Sequence, residues 1–130
     1  MNTRLLSSAS VMQLSPEQLD EQQAVTDMLY WLGISEKYTG FDYLSYAILL
    51  VLRQPERLCL ATKWLYPDVA KHYRTNWQTV ERGMRYAINL IWTLRRTQLQ
   101  QIARQDLSDK PCIVRFLEII LHYFCADNAA

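Results

Sequence analysis

The sequence predicts an all-α fold, a compact bundle of about six helices, and three observations support this prediction. Apolar residues recur at spacings of three and four over long stretches, as they do in helices packed on a core. No stretch alternates apolar and polar residues in the way that marks a half-buried strand. Only three glycines and four prolines interrupt the 130 residues, so we expect long helices with short connections.

The length of the chain fits one domain, and a hydrophobic content of 50% is enough for a core. We expect residues 1–14, which are polar and aperiodic, to form a flexible N-terminal tail, and residues 15–130 to form a single helical domain. The longest apolar run, at 43–52, is too short to cross a bilayer, and the start of the chain lacks the apolar core of a signal peptide. We therefore expect a cytoplasmic protein with no membrane partner.

The first helix is expected to begin at Ser15, which can cap it, with Pro16 in the first turn and Gln18 three residues after the cap. It is expected to end at Gly33, because glycine readily adopts the left-handed conformation that terminates helices. Its apolar series is Leu19, Val25, Met28, Leu29 and Leu32.

The second predicted helix, at 41–53, is apolar around most of its circumference, so we expect it to be the buried centre of the bundle. Pro55 then separates it from a short third helix at 57–65.

A pair of helices is predicted next. Pro67 and Asp68 indicate the start of a short helix at 66–73, and a tight turn at 74–76 leads to a longer helix at 77–94.

The C-terminal part is predicted to contain one more long helix. Residues 97–110 are polar and are expected to hold a short helical piece and a loop, after which Pro111 starts the last helix. Its expected core face consists of Ile113, Phe116, Leu117, Ile120 and Leu121.

The positive charge of the chain is concentrated around the predicted helix pair. Residues 63–96 contain seven Lys and Arg against two Asp and Glu, whereas residues 1–62 contain four against seven. A local excess of this kind is expected where a protein meets a polyanion.

The helix at 77–94 carries two faces. Its core stripe consists of Trp77, Val80, Met84, Ala87, Ile88 and Ile91. Opposite this stripe lies a face that we call the polar ridge, formed by Gln78, Glu81, Arg82, Arg85 and Asn89. A solvated helix face is the plainest interpretation of such a ridge, and a nucleic-acid-binding face is the other.

The order of short helix, turn and longer helix is that of a helix-turn-helix unit. A small residue in the first helix, here Ala70, allows the two helices to cross closely, and an aliphatic residue early in the second, here Val80, holds them together. Many such units have glycine in the turn where this chain has Arg74, so we expect the turn to adopt another conformation. The polar ridge would then face the major groove.

The chemistry of the ridge suits the reading of bases, because arginine pairs with guanine, glutamine with adenine, and glutamate accepts from cytosine. Purely structural roles for Gln78 and Glu81 stay open beside the base-reading role. Gln78 can complete a capping box with Thr75, although Asn76 can also cap the helix, and Glu81 can pair with Arg85 one turn away.

Four segments of the sequence resemble the DNA-binding effector domain of the stage-zero sporulation response regulator of endospore-forming bacteria. They are LGISEKYTGFDYLSYAI (32–48), LYPDVAKHY (65–73), TVERGMRYAI (79–88) and KPCIVRFLEII (110–120). The resemblance extends over about residues 24–124. It implies a six-helix domain that binds double-stranded DNA through the helix matched by 77–94, often as a tandem dimer on paired sites.

The resemblance also implies roles for individual residues. Glu81, Arg82 and Arg85 match base-contacting positions of the family, whereas Thr79 stands where the family has arginine and Tyr86 where it has histidine. We expect base contacts from Gln78, Thr79, Glu81, Arg82, Arg85 and Tyr86. We expect phosphate contacts from Lys71, Arg74, Asn76, Arg95 and Arg96. The departures predict an altered target sequence and weaker binding, and Gly83, in place of alanine, costs about 1 kcal/mol of helix propensity.

The regulator of this family carries a phosphorylatable receiver domain before the effector domain, whereas about 23 residues precede the match here, so we expect no such switch in this chain. Two functions stay open at this point. One is a sequence-specific transcriptional regulator. The other is a protein-interaction module that kept the fold, lost productive DNA binding and modulates a regulator.

Other functions are not supported by the sequence. With two histidines, no glycine-rich phosphate loop and no nucleophile motif, the chain is not expected to be an enzyme or to bind a cofactor, a metal or a small-molecule substrate. Cys59, Cys112 and Cys125 form no CxxC pair and are expected to be reduced core residues. Most aromatic residues are expected to pack in the core, namely Tyr43, Tyr46, Trp64, Tyr66, Trp77 and Trp92, with Tyr73 and Tyr86 at the edge that faces DNA.

Overall fold

The computed structural model describes the backbone of residues 16–129 and the side chains of residues 20–126. The predicted tail at 1–14, the cap at Ser15 and the side chain of Leu19 lie outside these residues. Between residues 16 and 129 the chain forms helices and no strand, so the all-α prediction is confirmed. The six α-helices are α1 (Pro16–Trp31), α2 (Thr39–Arg53), α3 (Tyr66–His72), α4 (Trp77–Leu94), α5 (Arg96–Ala103) and α6 (Ile113–Ala129).

The prediction of an α-helix at 57–65 is wrong about the type of helix. The chain instead forms a 3-10 helix, Pro55–Leu60, followed by a π-helical turn, Ala61–Leu65. Only Ala61 and Leu65 of these residues are buried, and the change from a tight to a wide turn directs them to the core. Trp64 is 54% exposed as a result, so its predicted core position is wrong. The count of six helices holds because the helical piece predicted within 97–110 is a full α-helix, α5.

The core is formed around α2, as its apolar circumference predicted. Helices α1, α4 and α6 all contact α2, and eight of its fifteen residues are buried. Met84, Ile88 and Ile91 of α4 and Phe116 of α6 complete the same core. Among residues 16–129, no helix is long and apolar enough to cross a membrane.

Some residues assigned to the core lie at its margin. Cys59, Cys112 and Cys125 are free thiols, but all three are exposed, so their predicted core positions are wrong. Cys59 lies in the 3-10 helix, Cys112 just before α6 and Cys125 near the end of α6, and at each position the side chain faces solvent. Trp77 is the first residue of α4 and also lies at the margin of the core, with 39% of its surface exposed.

Two glycines allow a close approach between α2 and α4. A Cβ atom on Gly40 would overlap the carbonyl oxygen of Gly83 and lie 2.9 Å from the Cβ of Ala87. A Cβ atom on Gly83 would lie 2.8 Å from a ring carbon of Tyr43, which is itself buried. Gly83 therefore has a packing role that its poor helix propensity does not reveal.

We expect Gly40→Ala to lower the free energy of unfolding by about 1–3 kcal/mol, because the new methyl group meets backbone, which cannot move aside. The matched variant Gly83→Ala is expected to have a smaller effect. Its gain of about 1 kcal/mol in helix propensity opposes the displacement of the Tyr43 ring. Urea denaturation of both variants measures the difference, and equal losses of stability would contradict this account of the crossing.

Candidate nucleic-acid interface

Helices α3 and α4 pack as the helix-turn-helix interpretation requires. Ala70 is 4% exposed and Val80 is fully buried, and both belong to the common core. With Val80 turned inward, the opposite side of α4 is directed to solvent. The pair thereby presents one face of α4 on the outside of the bundle.

The turn between the two helices is closed by the hydrogen bonds of a Schellman motif. The N–H of Thr75 donates to the carbonyl of Ala70 at 2.9 Å, and the N–H of Arg74 donates to the carbonyl of Lys71 at 3.3 Å. Arg74 has φ = 57°, the left-handed conformation that glycine adopts most easily. The expectation that arginine would force another turn is therefore wrong. The two hydrogen bonds hold Arg74 in the geometry that glycine would have.

Asn76 caps α4. Its side-chain oxygen accepts a hydrogen bond from the backbone N–H of Thr79 at 2.8 Å. No capping box between Thr75 and Gln78 occurs in the described chain. The side chain of Gln78 is exposed and is not required to hold the end of the helix.

The polar ridge is accessible along its whole length. Gln78, Arg82, Arg85 and Asn89 are exposed, and Glu81 is half-buried at the edge of the ridge. Arg85 Nη2 lies 3.0 Å from Glu81 Oε2, which confirms the predicted intrahelical pair. Such a pair between exposed groups contributes only a few tenths of a kcal/mol to stability. Arg82 has no ion pair or hydrogen bond to any residue that the structure describes, so its guanidinium is available to a ligand.

Below the ridge, Tyr66 forms the wall of a surface cavity of about 440 Å³ that Glu81, Arg85, Lys110 and Cys112 also line. Burial raises the pKa of Tyr66 to about 12, and the Glu81 carboxylate adds to this increase. The Tyr66 phenol therefore stays neutral to a higher pH than a solvated phenol, and Glu81 has Arg85 as its charged partner.

The predicted phosphate-contacting residues fall into two groups. Lys71 and Arg74 are exposed at the turn that precedes α4, next to Asn76. Arg95 and Arg96 lie at the other end of α4, about 20 Å along its axis from Arg82 at 1.5 Å per residue.

Both distant arginines make contacts within the protein. The Arg96 guanidinium lies 4.1 Å from the centre of the Trp92 ring and donates to the carbonyl of Leu107 at 3.4 Å. The side chain of Arg95 covers Gly33, where an added Cβ would meet its Cγ at 2.8 Å. Lys71 and Arg74 are thus exposed near the start of α4, whereas Arg95 and Arg96 lie at its other end and contact neighbouring segments.

The aromatic residues near the ridge differ in exposure. The hydroxyl of Tyr73 donates to the backbone carbonyl of Asp42 at 3.2 Å, and burial raises the Tyr73 pKa, so this side chain ties α3 to α2. His72 stacks on Tyr46 with ring centres 3.9 Å apart. Tyr86, by contrast, is 54% exposed on α4 beside the ridge.

Three residues near α4 escaped the sequence prediction. The ring of Tyr38 lies 6.2 Å from that of Tyr86, and Lys37 lies over Tyr38. Lys110 donates to the side-chain oxygen of Asn89 at 3.1 Å. These residues come from connections that are distant in sequence, so the pattern of α4 alone gave no signal for them.

Within the described residues, no three His, Cys, Asp or Glu side chains are grouped so that they could hold a metal ion. The chemistry of the interface is that of guanidinium, ammonium, amide and phenol donors, with one carboxylate.

In a comparison with protein families, residues 25–124 match the family described as "Sporulation initiation factor Spo0A C terminal". The match spans more than three quarters of the chain and includes α2, α3, α4, α5 and most of α6.

Replacing Arg74 by glycine is expected to stabilise the protein. A left-handed conformation costs a residue other than glycine about 1–2 kcal/mol, and the greater freedom of glycine in the unfolded chain offsets part of the gain. We expect Arg74→Gly to raise the free energy of unfolding by about 0.5–1 kcal/mol. Arg104 is a matched control, because it has φ = 59° and closes the turn after α5 with the same hydrogen-bond pattern.

Arg104→Gly should therefore stabilise the protein to a similar extent, while only Arg74→Gly removes a cation next to the ridge. Thermal unfolding and a DNA-binding titration separate the two effects. A loss of stability in both variants would show that the left-handed turns are not strained.

Proposed function

Since this chain belongs to the Spo0A C-terminal family of sporulation-regulator effector domains, we propose that it is a sequence-specific DNA-binding transcriptional regulator. In this proposal α4 enters the major groove of double-stranded DNA, and the protein acts in the cytoplasm. The family supplies the class of function, and the side chains of α4 support its assignment to this chain.

The exposed Arg82 is the observation that carries the proposal. An unpaired guanidinium in the second turn of α4 stands where base edges meet a recognition helix, and it can donate two parallel hydrogen bonds to guanine. Gln78 lies one turn before Arg82 on the same face and can pair with adenine.

Glu81 and Arg85 act together in this proposal. Their ion pair favours a position of the Arg85 guanidinium one turn beyond Arg82, while the second oxygen of Glu81 can accept from a cytosine amino group. A carboxylate is unfavourable in a surface that binds phosphates alone, because it repels them. Its presence within the ridge supports sequence reading over purely electrostatic binding.

Thr79 and Tyr86 border Arg82 on the other side and are proposed to contact bases or sugars at the edge of the site. Lys71, Arg74 and Asn76 surround the start of α4 and are proposed to bind phosphates there, Asn76 through the side-chain nitrogen that its capping oxygen leaves available. Arg95 and Arg96 are proposed as peripheral phosphate contacts, beside their roles within the protein. The family resemblance supports binding as a tandem dimer on paired sites.

We expect Arg82→Ala to cost about 1–3 kcal/mol of binding to the preferred sequence and to relax the preference at one base pair. Lys71→Ala should instead weaken binding to all sequences alike and lower the slope of log K against log salt by about one. Selection of the preferred site from random duplexes, followed by titrations at several salt concentrations, measures both effects. If both changes affected preferred and random DNA equally, the division between base and phosphate contacts would be refuted.

We expect Thr79→Arg to strengthen binding by about 1–3 kcal/mol, the value of one good base contact, and to favour guanine at one position. Thr79 lies in the first turn of α4, next to Arg82 on the helix surface, and a longer donor there can reach the groove.

The same titration separates the proposal from an interaction module that kept the fold without DNA binding. Such a module has no prepared partner for the new arginine. Sequence-independent binding by both the wild type and the Thr79→Arg variant would favour that module over a regulator. Circular dichroism of the variant checks that the fold is kept.

A further inference from the structure

We propose that Lys37 and Lys110 bind the phosphate backbone of DNA on the two sides of the groove that α4 enters. Neither residue belongs to the basic segment at 63–96, and each comes from a connection that precedes a helix. The inference rests on the proposed function, because it concerns how the same surface holds DNA.

Lys110 lies on one side of the ridge. Its ammonium donates to Asn89 Oδ1 at 3.1 Å, and Asn89 is two turns beyond Arg82 on the same face, about 10 Å along the axis. Lys110 lines the same cavity as Glu81 and Arg85, so it stands on the Glu81 side of the ridge. Pro111, which is buried, holds the connection in place directly after it.

Lys37 is held near the opposite side. Its ammonium lies 5.5 Å from the centre of the Tyr38 ring, which in turn lies 6.2 Å from the ring of Tyr86. The ammonium is therefore no more than about 12 Å from the exposed Tyr86 ring, whichever way the two contacts are directed. The neighbouring Glu36 accepts a hydrogen bond from the hydroxyl of Tyr30 on α1.

Lys37 lies near Tyr86 and Lys110 near Glu81, and these two residues of α4 point to different sides of the helix. At 100° per residue, these two positions are about 140° apart around the helix, with Arg82 between them. The major groove is about 12 Å wide, so phosphates of the two strands pass on either side of a helix that lies in it. An ammonium on each side of the ridge is placed to meet one strand, and the pair fixes the position of α4 across the groove.

The first experiment measures the salt dependence of DNA binding in Lys37→Gln and Lys110→Gln. Each change is expected to lower affinity for preferred and random duplexes alike, by roughly 3- to 10-fold, and to reduce the salt slope by about one. The double variant should lose about two units of slope, because each lysine neutralises a separate phosphate.

Arg115→Gln is the matched control. It removes one positive charge from α6, where Arg115 pairs with Glu118 at 3.6 Å and lines a separate cavity with residues of the α5–α6 connection. We expect its salt slope to equal that of the wild type. Unchanged slopes for the Lys37 and Lys110 variants, with wild-type specificity intact, would overturn this inference and leave the proposed function standing. No specific binding by the wild type would instead overturn the proposed function.

A second experiment uses the natural thiols of the chain. Cys112 lines the cavity that contains Lys110, whereas Cys125 lies about 20 Å further along α6, and both are exposed. A saturating preferred duplex is expected to slow alkylation of Cys112 by N-ethylmaleimide and to leave Cys125 unaffected, as measured by mass spectrometry of peptides. Equal rates at Cys112 with and without DNA would contradict a phosphate strand beside Lys110.

Discussion

The arrangement of the candidate DNA-binding surface depends on the contact between the backbones of α2 and α4 at Gly40 and Gly83. With no Cβ on either residue, the buried central helix approaches α4 directly, and few rotations of α4 about its axis keep that contact. The orientation of the polar ridge is thereby determined by the core. The proposed function needs such a rigid base, because an arginine that contacts a base edge must be placed within a fraction of an ångström.

The same contact draws together segments that are distant in sequence. Tyr43 packs against Gly83 and meets Tyr73, whose hydroxyl binds the backbone of α2 next to it. The turn before α4 is thus fixed to the central helix by aromatic packing as well as by its own hydrogen bonds. The connection before α2 reaches Tyr86 through Tyr38 for the same reason. Lys37 and Lys110 are therefore positioned near α4 by the fold and not by their place in the sequence.

The sequence predicted the fold class, the helix pair and the core stripe of α4, because hydrophobic periodicity and helix-terminal residues report local structure directly. It failed where tertiary packing decides. The 3-10 and π turns at 55–65 follow from which side chains the core accepts, and the glycine-like conformation of Arg74 follows from hydrogen bonds that close the turn. The polar ridge could be predicted from the helical spacing of its residues. Lys37 and Lys110 could not, since only the folded chain brings them near α4.

Arg85 of the polar ridge pairs with Glu81, whereas Arg82 has no ion pair among the described residues. The two arginines therefore differ in the side-chain entropy that they would lose on binding DNA. The pair favours some rotamers of Arg85 in the free protein by a few tenths of a kcal/mol, so in the proposed complex Arg85 loses slightly less rotamer freedom when it meets a base. Arg82 is unrestrained and gives up on the order of 1 kcal/mol of side-chain entropy on binding. Two contacts of the same chemistry therefore respond differently to temperature. In the proposed complex, recognition through Arg82 would therefore weaken somewhat more on warming than recognition through Arg85.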